Sequence, residues 1–69
     1  SMIRSINNRT EAVIALREMG CKLSESKHRE FLWNITWPDG EVCEVWSADL
    51  VQYAKYVADY LEFHCIEVN

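Results

Sequence analysis

The stretch Glu30-Phe31-Leu32-Trp33-Asn34-Ile35-Thr36-Trp37-Pro38-Asp39-Gly40-Glu41-Val42-Cys43-Glu44-Val45-Trp46, residues 30–46, decides the fold. It is rich in aromatic and β-branched residues, and the only proline of the chain sits at its middle, beside one of its two glycines. Proline presets the dihedral of the first central turn position, aspartate suits the second, and glycine takes the positive φ that closes a three-residue loop with a G1 bulge. This predicts a β-hairpin with Trp37-Pro38-Asp39-Gly40-Glu41 at its tip. Counting back from Trp37 opposite Glu41 pairs Ile35 with Cys43, Trp33 with Val45 and Phe31 with Ser47. One face then carries Phe31, Trp33, Ile35, Cys43 and Val45 and is expected to be core. The other carries Leu32, Asn34, Thr36, Val42, Glu44 and Trp46.

Working outward, Ser47 is the expected N-cap of a helix from Ala48 to about Phe63, with Asp49 in the first turn where the helix dipole favours a negative charge. Leu50, Ala54, Val57 and Leu61 form its expected buried stripe, flanked by Tyr53, Ala58 and Tyr60. Tyr56 and Phe63 fall on the polar side with Gln52, Asp59 and Glu62. Towards the N-terminus, Cys21 and Leu23 alternate with Lys22 and Ser24 as in a short strand, followed by a Ser26-Lys27-His28-Arg29 turn. Before it, Asn8 as N-cap, Glu11 in the capping-box position and Gly20 as the left-handed stop bound a helix from Arg9 to Met19. Its core side is expected to be Ala12, Val13, Leu16 and Met19, with Ile14 pointing away.

The order α-β-β-β-α predicts an α+β domain in which a small antiparallel sheet packs on two helices. The alternative is a ferredoxin-like β-α-β-β-α-β arrangement, in which both chain ends pair as strands and residues 21–29 are mostly loop. Sixty-nine residues suffice for one small domain, taken as residues 2–69 with Ser1 a remnant of tag removal. A core this small leaves a narrow margin of stability, so self-association as a homo-oligomer is expected to help. The apolar fraction of 49% and charged fraction of 26% exclude a disordered tail. No apolar run approaches the ~18 residues of a membrane span, and Cys21, Cys43 and Cys65 are odd in number and widely spaced, as reduced thiols would be. A cytoplasmic location with no membrane association is the expectation.

The net charge of −4 is unevenly distributed: residues 1–29 carry +3 and residues 30–69 carry −7. The element order resembles that of the double-stranded RNA-binding domain, but that family opens its second helix with lysines on the phosphates. The corresponding stretch here is Ser47-Ala48-Asp49-Leu50-Val51, so the resemblance stops at topology and nucleic acid is not the expected partner. Cys21, His28, Cys43, His64 and Cys65 lack the paired spacing of a zinc site, so no metal is expected. There is no glycine-rich phosphate loop and no nucleophile elbow, and His28 with Cys21 is the only base and thiol pair to nominate. No enzymatic activity, catalytic residue or cofactor is therefore predicted.

The aromatic residues outside the expected core carry the functional expectation. Trp46, Tyr56 and Phe63, with Glu44, Asp59 and Glu62 near them in the pattern, predict an acidic, aromatic-containing surface that binds a protein partner. That partner would be basic or itself nucleic-acid-binding, and the sharper form of the expectation is a nucleic-acid mimic or phage-type inhibitor. The competing explanations are that chain ends cover Trp46 and Leu32, and that Phe63 turns inward as the helix ends. The alternative function is a nucleic-acid-binding module using the basic set Arg4, Arg9, Arg17, Lys22, Lys27 and Arg29.

Overall fold

In the computed structural model, which describes residues 6–64, the first helix starts where its capping residues place it. Asn8 is extended (φ −150°, ψ 174°), and its side chain accepts the Glu11 amide at 2.9 Å. The Glu11 carboxylate in turn accepts the Asn7 amide at 2.9 Å, so two otherwise orphaned amides are satisfied. Helix α1 then runs Arg9–Glu18. It ends in a Schellman motif: the Gly20 amide donates to the Arg17 carbonyl and the Cys21 amide to the Leu16 carbonyl, with Gly20 at φ +95°. The buried side of α1 is Ala12, Ala15 and Leu16, with Met19 beyond its end, while Val13 is half-buried and Ile14 exposed.

Three strands follow, β1 (Lys22–Glu25), β2 (Leu32–Thr36) and β3 (Val42–Trp46), joined as an antiparallel meander in that spatial order. The hairpin between β2 and β3 has the turn its sequence predicts. The Gly40 amide donates to the Trp37 carbonyl and the Trp37 amide to the Glu41 carbonyl, both at 2.8 Å, and Gly40 has φ +92°. Ile35 pairs with Cys43 and Trp33 with Val45, and on the other side Leu23 pairs with Ile35. After a 3-10 turn over Ser47–Asp49, helix α2 runs Leu50–Phe63. Both helices lie on the Ile35 and Val45 face, where Leu16, Leu50, Ala54 and Ala58 complete the core with Ile6 and Cys21. The result is the α+β order α-β-β-β-α. The ferredoxin-like alternative required a loop where β1 stands, and its terminal strands fall largely outside the described residues.

Four local expectations are corrected. Phe31 does not continue the strand onto the core face: it has φ +63° and is 71% exposed. Its carbonyl still accepts the Ser47 amide at 2.6 Å, as the register predicts, and it is the positive φ that ends the strand one residue before β2. Ser47 does not cap α2. It is buried, its hydroxyl accepts the Trp33 indole N–H at 2.9 Å, and the 3-10 turn delays the α-helix to Leu50. The fully buried residues of α2 are Leu50, Ala54 and Ala58, with Val57 and Leu61 half-buried, since a small alanine is covered completely where a larger side chain reaches the edge of the core. Ala15 of α1 joins the core for the same reason.

Candidate functional site

Helix α2 turns its buried stripe towards the sheet and α1, so the residues opposite that stripe project away from both. At about 100° per residue, Tyr56, Tyr60 and Phe63 fall on one line with Gln52 and Asp59 beside it. The three aromatic side chains are 69%, 51% and 80% exposed. Tyrosine and phenylalanine bury roughly 200 Å² each when covered, so the stripe offers about 400 Å² of surface. A patch of that size lies within the ~300–600 Å² of the largest apolar patch on a typical monomer, which is often a functional one. At its C-terminal end the His64 ring lies 4.3 Å from the Tyr60 ring and 5.2 Å, edge-on, from that of Phe63. Phe63 therefore does not turn inward.

The six residues named from the sequence do not all meet. Tyr56, Asp59 and Phe63 share the outward side of α2, with Glu62 exposed on its flank. Glu44 and Trp46 stand on the opposite face of the sheet, away from the helices, since they alternate with Cys43 and Val45 along β3. Trp46 is 46% exposed and lies directly across from Leu32, which is buried. Trp46 thus has a packing role on that face as well as an exposed edge. Tyr60 was expected to flank the core and instead completes the exposed stripe. The helical wheel places it at the boundary, and only the burial of Ala54 and Ala58 shows to which side it turns.

Under the hairpin tip lies a second cluster. The Tyr53 hydroxyl accepts the Trp37 indole N–H at 3.0 Å, with Cys43 beside it. Cys21 and Cys43 are free thiols. Burial, with the Cys43 thiol nearby, pushes the Cys21 thiol up to about 11. Burial likewise pushes the Tyr53 phenol up to about 12, against the opposing effect of the Trp37 hydrogen bond. Both groups are therefore neutral at physiological pH, and Cys21 is a poor nucleophile there. Among the described residues, no three His, Cys, Asp or Glu side chains lie close enough to hold a metal ion. Among the same residues no helix is long and apolar enough to cross a membrane.

The basic half of the chain also converges in space, which no periodicity in the sequence signals. Arg9 and Arg17 of α1 and Lys27 and Arg29 of the β1–β2 connection border open clefts on either side of the exposed Phe31 ring. Compared with known protein families, with curated proteins and with solved structures, the chain matches none of them.

Proposed function

We propose that the protein is a non-enzymatic interaction module that binds a protein partner through the outward side of α2. The observation that carries this reading is the exposure of Tyr56, Tyr60 and Phe63 on one helical line. Anchors spaced by four and then three residues are what a helix offers to an apolar groove. Their roughly 400 Å² is about half of the ~800 Å² that one partner contributes to an interface of standard size. Asp59 beside the stripe supplies a charge that a basic partner would complement. Glu44 and Trp46 point from the other side of the sheet and lie outside this interface. The carboxylates named for nucleic-acid mimicry are accordingly not presented as a single row, and protein binding by an aromatic helix face is the form of the proposal the geometry favours.

The test is capture from the source cell lysate on immobilised protein, in parallel with the Tyr56→Ala/Phe63→Ala variant. A discrete protein retained by the parent and lost from the variant, with circular dichroism and melting of the variant unchanged, is the expected result. Retention of the same proteins by both, or of none by the parent, would overturn the proposal. With the partner in hand, Asp59→Asn should chiefly slow association. Tyr56→Ala should chiefly speed dissociation, by about thirtyfold if it is worth the ~2 kcal/mol of a hot spot.

A further inference from the structure

Phe31 leaves the strand conformation at φ +63° although ladder hydrogen bonds continue on both sides of it. The Ser47 amide donates to its carbonyl at 2.6 Å, and the Ser26 amide to the Leu32 carbonyl at 2.8 Å. The Ser26 hydroxyl accepts the amides of His28 and Arg29, each at 3.1 Å, and so closes the connection on itself. An apolar ring at φ +63° and 71% exposed leaves most of its surface uncovered, and backbone strain of this kind is concentrated at binding sites.

Two open clefts of about 520 and 490 Å³ flank the ring, and both are lined by Glu25, Phe31, Trp33 and Ser47. One extends along Lys27, His28 and Arg29, the other along Arg9, Val13, Ile14 and Arg17 of α1. The pair forms an open groove whose apolar lining is Val13, Ile14, Phe31 and Trp33. The Trp33 indole N–H is already given to Ser47, so this ring presents apolar surface only. The rim holds four cations, Arg9, Arg17, Lys27 and Arg29, against the carboxylates of Glu25 and Glu30. No hydrogen bond or ion pair among the described residues engages the side chains of those four cations.

We infer that this groove is a second binding site, for an acidic peptide segment carrying an aromatic or aliphatic anchor. The anchor seats against Phe31 between Val13 and Trp33, and the flanking carboxylates meet Arg9 and Arg17 on one side and Lys27 and Arg29 on the other. A nucleic-acid strand fits less well. Its affinity rests on neutralising successive phosphates, and Glu25 and Glu30 interrupt the cationic rim. Those same carboxylates can accept peptide N–H groups, and the aliphatic walls of α1 match a side chain rather than a base. The site shares no residue with the proposed α2 interface, so each can fail without the other.

The experiment is selection of random displayed peptides on the immobilised full chain. Binding of the enriched peptide is then measured by fluorescence anisotropy. Enrichment of Asp and Glu around a Trp, Phe or Leu is expected, with binding that weakens as salt rises. Arg17→Glu/Arg29→Glu and, separately, Phe31→Gly should each reduce that affinity by about tenfold or more, while Tyr56→Ala/Phe63→Ala should leave it unchanged. No enrichment, or a selected peptide indifferent to the groove variants, would overturn the inference. So would tight binding of oligo(dT) abolished by the same variants, which would assign the groove to nucleic acid.

Discussion

Replacing Phe31 by glycine and, separately, by alanine isolates the backbone strain from the ring. The ring is 71% exposed, so about three-tenths of its roughly 200 Å² is covered, and both substitutions forfeit that ~1.5 kcal/mol of burial. Alanine keeps a Cβ at φ +63° and with it a left-handed penalty of about 1–2 kcal/mol. Glycine carries no such penalty but gains ~0.4–1 kcal/mol of unfolded-state freedom. The glycine variant should therefore be more stable than the alanine variant by about 0.5–1 kcal/mol and less stable than the parent by a similar amount, although alanine is the more stable of the two at an ordinary position. Urea unfolding of the three proteins with matched m-values measures the order, and a difference of ~1 kcal/mol is about 4–8 °C in Tm for a domain of this size. Alanine more stable than glycine at residue 31 would refute the argument that the exposed ring is held under strain.

The two glycines should separate in the same assay. Gly40→Ala meets nothing within 4 Å and should cost about 1 kcal/mol for its positive φ alone, whereas a Cβ on Gly20 comes 2.9 Å from Pro38 Cγ and should cost about 2 kcal/mol or more. Equal melting temperatures for the two variants would count against the close approach of the α1 terminus to the hairpin tip. Stability should also fall in alkali. The thiol of Cys21 and the phenol of Tyr53 are neutral when protonated and have folded pKa values raised to about 11 and about 12. Between the ordinary values and these, the folded state retains protons that the unfolded state releases, so their contribution is complete below pH 9 and is lost as pH rises through 11 and 12. Denaturant unfolding from pH 8 to 12 should show that decline, less steeply in Cys21→Ala; a flat profile would contradict it.

The parts of the structure readable from sequence are those in which a short segment contains its own instructions. Pro38, Asp39 and Gly40 specify one turn, the turn specifies the register, and the register places Ile35 and Val45 on the core face. Asn8, Glu11 and Gly20 bound α1 in the same self-contained way. The failures occur where a distant group wins over a local preference. Ser47 has the chemistry of an N-cap, yet the Trp33 indole N–H claims its hydroxyl from across the sheet. Phe31 extends the alternation of β2 by one residue and keeps the ladder bond to the Ser47 amide, and only its backbone φ of +63° shows that the strand has already ended. Half of the candidate surface was legible for the same reason: Tyr56 and Phe63 follow from the helical wheel. Tyr60 does not, because its side depends on which neighbouring residues of α2 the core covers, and those are Ala54 and Ala58. Glu44 and Trp46 are exposed but lie on the opposite side of the molecule, which requires knowing where α2 docks. The groove around Phe31 gathers residues from α1, the β1–β2 connection, β2 and the 3-10 turn after β3, and no one-dimensional pattern brings those together.

The central claim, that the outward side of α2 is the partner-binding face, is tested most directly by site-specific photocrosslinking. A benzophenone amino acid placed at residue 56 or residue 63 of the full chain should give one discrete protein adduct in the source cell lysate, competed away by unlabelled parent protein. The same group at residue 24, exposed on the far face of the sheet, should give none. Adducts from residue 24 with none from residues 56 and 63 would contradict the account.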